Sequence, residues 1–293
     1  MKKIIILKDG GGRLANQLWN YASIYAYCLE KNYRCYNYVF YRYHDYFDIP
    51  HVSVFEEVLS RVLNITKNYK LVRILNFVTY KFISLFYKKN IIKDDGRDFN
   101  LPPSFNPNFF QRSIIDFVDT KNKDFYFTGW LFRNPEGLKK NHGKISLYFR
   151  PKEKYYTQVI SLKKELQQKY KLIVGVHVRQ GDYKTWQGGK FFFSCHEVAL
   201  ILRDFVEQQK YYKLAEIVFV ICSDGHVEET FFSGLNIANG PGSEITDLYM
   251  LAHADLIIGS NSTYGTWAAY YGQIPFFEFS RKKINWENKF IPS

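Results

Sequence analysis

Cysteine and metal-binding motifs are scarce in this sequence. The cysteines are Cys28, Cys35, Cys195 and Cys222. No two of them form a C-x-x-C pair, no D-x-D run occurs, and Asp94 and Asp95 lie in a polar segment where solvation accounts for them. Cys28 falls in a helical pattern and Cys222 in an apolar strand pattern, where a free cysteine packs as a small hydrophobic residue. We therefore expect neither a disulfide framework nor a bound metal.

Long apolar runs are absent as well. A transmembrane helix needs about 18 or more consecutive apolar residues, and the sequence has no such run. Residues 1–7 include Lys2 and Lys3, but their apolar run is too short for a secretory signal peptide and predicts a first strand. We therefore expect a cytoplasmic protein. A G-x-S-x-G motif, which would indicate a serine hydrolase, is also missing.

Acidic residues are the scarcer of the two charge types. The 40 Lys and Arg against 28 Asp and Glu give a net charge of +12. Nucleic acid, anionic lipid and an anionic small substrate all fit such an excess. The basic residues are scattered and form no known nucleic-acid-binding module, so we expect no nucleic-acid partner. The sequence is rich in aromatic residues, at 19%, which can form sugar-stacking platforms but mostly fill cores.

The first half, residues 1–150, opens like one end of a βαβ unit. A strand over residues 4–7 is followed by three glycines and by a helix over residues 15–31. A helix N-terminus after a glycine turn can bind an anion, but the turn is not G-x-G-x-x-G and is more often a plain connection. Residues 125–130 predict an aromatic strand that ends at a glycine.

The second half, residues 151–293, alternates strand and helix patterns. Residues 153–171 have helical spacing and a polar surface character, which places the boundary near residue 150. The regular alternation predicts an α/β fold with a doubly wound parallel sheet. Strands are predicted over residues 172–178, 216–222, 254–259 and 275–279, and helices over residues 195–210, 245–253 and 263–271.

A basic amphipathic stretch covers residues 58–90. We expect it to form one or two helices whose apolar residues pack on the domain core, the usual fate of such a stripe. The alternative is peripheral contact with an anionic membrane surface. The apolar residues of this stretch include Leu63, Ile65, Leu71, Val72, Ile74, Leu75, Val78, Phe82, Leu85 and Phe86.

Polar residues follow three of the predicted strands. The groups are His177, Arg179 and Asp182; Ser223 and Asp224; and Asn261, Ser262 and Thr263. The carboxyl ends of parallel strands share one edge of the sheet, where open α/β proteins bind ligands. Arg179 suits a phosphate because its planar fork gives two parallel hydrogen bonds. An Arg179–Asp182 structural ion pair is the equally weighted alternative.

Two further polar positions have both structural and ligand-binding interpretations. Ser262 or Thr263 can cap the following helix, grip a phosphate, or do both. Asp247 follows a possible N-cap and can serve simply as a helix-dipole partner. A ribose or a guanine edge would need an acidic acceptor of this kind, which Asp224 could equally supply.

Five segments together resemble the α-1,2-fucosyltransferases of glycosyltransferase family 11, with more distant similarity to α-1,6- and protein O-fucosyltransferases. Two are similar to the family's opening motif and its H-V-R-R-G-D-Y motif, and the others to its mid-chain and last two motifs. They occur in family order. The segments are residues 12–18 (GRLANQL), 127–132 (FTGWLF), 176–183 (VHVRQGDY), 247–250 (DLYM) and 262–270 (STYGTWAAY).

The resemblance implies a GT-B-like enzyme with two Rossmann-like halves, residues 1–150 on the acceptor side and residues 151–293 binding the GDP-sugar. It implies metal-independent, inverting transfer of L-fucose from GDP-β-L-fucose to the 2-hydroxyl of a galactoside. Arg179 would bind the donor diphosphate with support from His177, and Asn16 would lie near the transferred sugar or β-phosphate. The implied donor-binding residues are Arg13, Asn16, His177, Arg179, Ser223, Asp224, Asp247, Ser262 and Thr263.

The implied catalytic residues are Arg179, Asn16 and Asp182, and Asp182 is the motif acid. The general base is left open among Asp182, Asp9, Asp45 and His44. The expected acceptor is a glycan or a lipid-linked saccharide, bound by loops of residues 35–130.

Two departures from the family pattern keep other functions open. Gln180 stands where the family usually has a second arginine, and Ala15 replaces a glycine of the opening motif. The alternatives are a different nucleotide-deoxysugar donor, or a non-catalytic sugar-nucleotide or glycan-binding protein.

Overall fold

The computed structural model describes residues 1–8, 12–49, 53–66, 68–93, 109–111, 113–129 and 132–292. The chain divides into two compact units, Met1–Lys152 and Glu153–Pro292, and the predicted boundary lies two residues before this division. Several predicted features fall outside the described residues. They are Asp9 with its glycine turn, the segment that contains Asp94 and Asp95, and the end of the aromatic strand at residues 130–131.

The N-terminal unit is an α/β unit whose described strands form one parallel sheet in the order β2-β1-β4-β3. Its elements are β1 (Lys3–Lys8), α1 (Leu14–Lys31), β2 (Arg34–Asn37), α2 (Val54–Thr66), α3 (Tyr69–Phe86), β3 (Ile91–Lys93), α4 (Ser113–Thr120), β4 (Phe125–Thr128), α5 (Pro135–Lys140) and α6 (His142–Tyr148). Strands β2 and β3, with four and three residues, are too short to show a periodic pattern, and the sequence did not predict them.

Aromatic residues fill the core of this unit around α1. The Tyr21 ring is fully buried and lies edge-on to Phe40, Tyr148 and Phe149, with ring centroids 5.3, 5.8 and 5.2 Å away. Edge-to-face pairs of this kind add to the stability that burial of the rings supplies. The high aromatic content therefore serves mainly to build this core.

The C-terminal unit contains the predicted doubly wound sheet. Its described strands are all parallel and lie in the order β7-β6-β5-β8-β9, with β5 in the centre. The elements are α7 (Glu153–Gln167), β5 (Leu172–Val178), α8 (Cys195–Glu207), β6 (Ile217–Ser223), β7 (Ile237–Asn239), α9 (Glu244–Ala252), β8 (Leu256–Gly259), α10 (Thr263–Gly272) and β9 (Phe276–Glu278).

The central position of β5 explains its continuous apolar run. All seven of its residues are buried, because β6 and β8 flank it and helices cover its faces. The chain runs from β5 outward to β6 and β7, then returns to the other side of β5 with β8 and β9. The two directions part between β5 and β8, and such a switch point is where open α/β sheets bind ligands.

The basic amphipathic stretch forms α2 and α3, and the expectation that its apolar residues pack on the core is largely wrong. Val72 of α3 is buried in a small cluster with Leu59 and Tyr41. Eight of the ten apolar residues named above are exposed, from 38% for Leu71 to 82% for Ile65. In the part of the chain that the structure describes, no helix is long and apolar enough to cross a membrane.

Candidate functional site

Arg179, directly after β5, is held by groups that follow three neighbouring strands. Its Nε and one terminal nitrogen lie 3.0 and 2.8 Å from Oδ1 of Asp182, and its other terminal nitrogen lies 3.2 Å from Oδ2 of Asp224. Its backbone N–H donates to Oγ of Ser260, at 2.9 Å. The structural ion pair considered from the sequence is therefore present, and Asp224 from the end of β6 joins it. This fixes the guanidinium at the edge of the sheet.

Asp224 connects the ends of β5 and β6 through both of its carboxylate oxygens. While Oδ2 faces Arg179, Oδ1 accepts hydrogen bonds from the backbone N–H groups of Gln180 and Gly181, at 2.7 and 3.0 Å. Burial favours a higher pKa for Asp224, but these two donors and Arg179 outweigh it and hold the pKa below the ordinary value. The side chain is therefore a carboxylate at neutral pH.

His177 is a neutral, buried imidazole. Only 4% of it is exposed, its ring stacks on Tyr264 with centroids 4.9 Å apart, and its Nδ1 has no hydrogen-bond partner among the described residues. Burial, with a further contribution from Arg179, lowers the pKa of His177 to about 3. A Cβ at position 265 would lie 2.7 Å from the Phe276 ring, so only glycine fits beneath this stack. His177 adds no positive charge beside Arg179.

Asp247 lies in the first turn of α9, as predicted, and Ser243 is the N-cap of that helix. Its Oδ1 accepts a hydrogen bond from the Gly242 N–H at 2.7 Å. Burial raises the pKa of Asp247 to about 6, against the opposing effect of that hydrogen bond. Tyr264 links α9 to His177, because its hydroxyl donates to the carbonyl of Glu244 at 2.6 Å while its ring stacks on the imidazole.

The two buried groups predict opposite effects of acid on stability. Between pH 6.5 and about 3, unfolded His177 binds a proton that the folded protein excludes, so its contribution to the free energy of unfolding falls by about 1.4 kcal/mol per pH unit of acidification. Between about pH 6 and 3.9, folded Asp247 binds a proton that the unfolded chain releases, so its contribution rises with acidification.

We therefore expect His177→Gln to gain stability relative to the wild type as the pH falls from 6.5 to 4, and Asp247→Asn to lose it from 6 to 4. Urea unfolding of the three proteins across this range measures the slopes. Identical slopes in all three would mean that neither group has a shifted pKa.

The third polar group, after β8, has a clear structural role. Ser262 is the N-cap of α10, and its Oγ accepts the Tyr264 N–H at 3.2 Å, whereas Thr263 is the first helical residue. The hydroxyl of Tyr183 donates to the carbonyl of Asn261 at 2.6 Å. The loops after β5 and β8 are thus joined, and Ser223, the last residue of β6, accepts a hydrogen bond from the Gly225 N–H.

Two predicted donor-binding residues lie in the N-terminal unit. Arg13 is the exposed N-cap residue of α1, and Asn16 is half-buried in the first turn of that helix. Gly12 has φ of +86°, and a Cβ there would lie 2.6 Å from Nδ2 of Asn16, so this position requires glycine. Gly12, two residues before α1, therefore packs directly on the Asn16 side chain.

Two other candidate bases, His44 and Asp45, also lie in the N-terminal unit. Asp9 lies outside the described residues. Asp45 accepts a hydrogen bond from Nδ2 of Asn64 at 3.0 Å and lies 3.9 Å from Nζ of Lys152. Burial, with help from Lys152, lowers the pKa of His44. No cluster of His, Cys, Asp and Glu side chains suited to a metal ion occurs within the described ranges.

Sequence reasoning missed the burial of Gln180 and the contributions of Ser260 and Trp186 to the site. Gln180 is buried, and its Nε2 lies 3.3 Å from Sγ of Cys195, so this position is part of the interior of the unit. Ser260 directly follows β8 and belongs to none of the sequence motifs. The Arg179 guanidinium lies over the Tyr183 ring, 5.4 Å from its centroid. Trp186 is 45% exposed and stacks on Tyr183 with ring centroids 5.2 Å apart. Such an exposed ring is a surface on which a sugar can pack.

Two α/β units, each with a parallel sheet, and an arginine held at the switch point of the second sheet fit a GT-B-like fold. Residues 122–274, more than half of the chain, match the model of glycosyl transferase family 11. The protein belongs to this family. The match includes residues 176–183 and the later motifs, while residues 12–18 precede it. Curated protein sequences give no significant match.

Solved structures with the same fold include fucosyltransferases that are remote in sequence. NodZ α-1,6-fucosyltransferase from Bradyrhizobium, co-crystallised with GDP, is 17% identical with a TM-score of 0.56, over 97% of this chain and 98% of that one. A mutant of FUT1 from Arabidopsis thaliana in complex with GDP is 12% identical with a TM-score of 0.57, over 96% and 71%. POFUT1 in complex with GDP is 12% identical with a TM-score of 0.52, over 95% and 98%. At these identities the likeness establishes the fold.

Proposed function

We propose that the protein transfers L-fucose from GDP-β-L-fucose to the 2-hydroxyl of a galactoside, with inversion and without a metal ion. The observation that carries the proposal is Arg179, held at the switch point of the sheet by two carboxylates. Family membership supports glycosyl transfer, and NodZ, which shares the fold, has been soaked with GDP-fucose. The proposed acceptor is a glycan or lipid-linked saccharide, with loops of residues 35–130 as its expected binding region and the 45% exposed Trp186 as a further ring on which a sugar can pack.

Donor binding in this proposal exchanges one ion pair of Arg179. The Asp182 side chain is 52% exposed and can turn to solvent, whereas Asp224 is fixed by two backbone N–H groups. The donor diphosphate then takes the place of Asp182 on the guanidinium fork. Backbone N–H groups at the start of α10, beside Ser262 and Thr263, supply further anion-binding donors.

The transfer step makes one bond and breaks one. The acceptor oxygen attacks C1 of the sugar as the bond from C1 to the diphosphate oxygen breaks, and the charge left on GDP is stabilised by Arg179. One such preorganised donor is worth about 3–4 kcal/mol of barrier. The proton of the acceptor hydroxyl passes to a general base, for which we propose Asp182, since donor binding frees its carboxylate. Arg13 and Asn16, near the start of α1, stay predicted donor-binding residues.

The position of Gln180 bears on the identity of the donor. The missing second arginine was the reason to consider a different nucleotide-deoxysugar. Because Gln180 is buried against Cys195, an arginine at this position would need a counter-charge inside the unit. The substitution therefore gives little support to a different donor.

Thermal unfolding with GDP, UDP, GDP-fucose and GDP-mannose, followed by a transfer assay with β-galactosides, tests the proposal. A ligand at 100 times its Kd stabilises the folded state by about 2.7 kcal/mol, and we expect this for GDP and GDP-fucose but not for UDP. We expect EDTA to leave the transfer rate unchanged. Stabilisation by UDP alone would assign another donor, and a loss of rate in EDTA that Mn²⁺ restores would refute metal independence. Stabilisation by GDP without transfer to any acceptor would favour a binding protein.

A further inference from the structure

The outer face of α3 is an apolar stripe that the N-terminal unit leaves exposed. Val72, Asn76 and Ile83 mark the buried side of the helix. With 3.6 residues per turn, seven of the exposed apolar residues of α3 fall within about a third of the circumference, on a different side. They are Leu71, Ile74, Leu75, Val78, Phe82, Leu85 and Phe86, and their exposed fractions run from 38% to 76%. Phe77, which is 49% exposed, widens this face to about half of the circumference.

An exposed stripe of this kind is unusual for a helix on a water-facing surface. Soluble proteins rarely expose long contiguous apolar patches, and where they do the patch marks an interaction site. Helix α2 adds Val58 and Ile65, which are 49% and 82% exposed. On the inner side of α2 and α3, Leu59 and Val72 are already buried against Tyr41. The outer face therefore requires an occupant from outside the unit.

The charges around the stripe indicate what that occupant is. From residue 58 to residue 93 the sequence has eight Lys or Arg and no Asp or Glu. Helical geometry places Lys70 and Lys81 along one border of the stripe, beside Phe77, and Nζ of Lys81 lies 5.4 Å from the centre of the Phe77 ring. Long basic side chains can lay their stems on apolar surface and extend their charges toward anionic headgroups.

We propose that the outer face of α3, with the exposed residues of α2, docks the protein on a lipid bilayer that carries anionic headgroups. Apolar residues on one face with basic residues beside them are the features of helices that lie in the plane of a membrane interface. A second copy of the chain fits less well, because two such faces would bring like charges together with no acidic residue of the segment to pair them. The proposal is independent of the donor sugar.

Vesicle flotation of the full-length protein tests the proposal without any substrate. We expect binding to vesicles of phosphatidylcholine with one third phosphatidylglycerol, at least tenfold weaker binding to phosphatidylcholine alone, and weakening by salt. Lys70→Gln with Lys81→Gln should reduce partitioning by about fivefold per charge, about 25-fold together. Phe82→Ser with Leu85→Ser should reduce it at least tenfold, and because both residues are exposed the fold should persist.

Matched control variants change equally exposed residues elsewhere. Lys139→Gln with Lys144→Gln removes two basic residues of α5 and α6, and Leu147→Ser with Leu200→Ser removes two leucines that are 71% and 50% exposed. Both controls should bind like the wild type. Absence of wild-type binding to anionic vesicles, or equal losses in controls and α3 variants, would overturn the proposal. So would a dimer in solution that Phe82→Ser with Leu85→Ser dissociates, if no vesicle binding accompanies it.

Discussion

Replacement of Arg179 by alanine is expected to lower kcat/KM for transfer by about a thousandfold or more. Loss of a single transition-state donor costs about 100- to 1000-fold, and the guanidinium can offer two donors to the diphosphate. Steady-state kinetics with GDP-fucose and a β-galactoside measure the loss, and thermal unfolding checks the fold. Arg179→Lys keeps the charge but loses the planar fork, so it should recover only a small part of the activity.

Arg203→Ala is the matched control for this experiment. Arg203 lies on α8 and donates to the backbone carbonyls of Phe231 and Ser233, at 2.8 and 3.0 Å, without an acidic partner at the site. It should retain transfer activity. Near-normal turnover by Arg179→Ala would mean that the arginine serves only in the ion pairs with Asp182 and Asp224, and the proposed mechanism would then be wrong.

The central part of the fold could be predicted because its sequence signals are local and strong. Strand β5 begins with a run of five apolar or small residues, 172–176, that leads into polar residues, and its predicted bounds, 172–178, are confirmed. The end of the helix after it was placed at residue 210, whereas α8 ends at Glu207. Strand β7 has only three residues, none of them buried, and so lacks the apolar signal that marks β5 and β6.

The packing of α3 could not be predicted, because a helical stripe does not specify which of two apolar faces meets the core. Residues on the stripe outnumber those on the buried side, yet Val72 and Ile83 are the ones that the unit covers. From the sequence pattern alone, the wider apolar face of α3 would be assigned to the core. The tertiary structure reverses this assignment and leaves the wider face exposed.

The candidate site was predictable to the level of strand ends but not of individual contacts. Parallel strands deliver their carboxyl ends to one edge, so the proximity of Arg179 and Asp224 follows from topology. The hydrogen bond to Ser260 and the stacking of His177 on Tyr264 depend on register between segments about 80 residues apart. Gln180 shows the same limit of prediction. It directly follows Arg179, yet its side chain is buried inside the unit.

Asp224 positions Arg179 through one carboxylate oxygen and holds the turn after β5 through the other. Because the two roles fall on different oxygens, substitutions can separate them. Asp224→Asn keeps Oδ1 as the acceptor for the Gln180 and Gly181 N–H groups and replaces the charge that faces Arg179. We expect about a 100-fold loss of kcat/KM, seen mainly as a higher KM for the donor, with a thermal midpoint near that of the wild type.

Asp224→Ala should lose the same activity and also about 1–3 kcal/mol of stability, because the two N–H groups lose their acceptor. Asp255→Asn is the control, since its Oδ2 accepts the Ile173 N–H at 2.7 Å near the opposite end of β5, and its donor KM should be unchanged. If Asp224→Asn instead kept the wild-type donor KM and lost only stability, the carboxylate would serve the turn alone. The orientation of Arg179 would then come from Asp182, the partner that donor binding is proposed to displace, and the exchange of ion pairs would have to be abandoned.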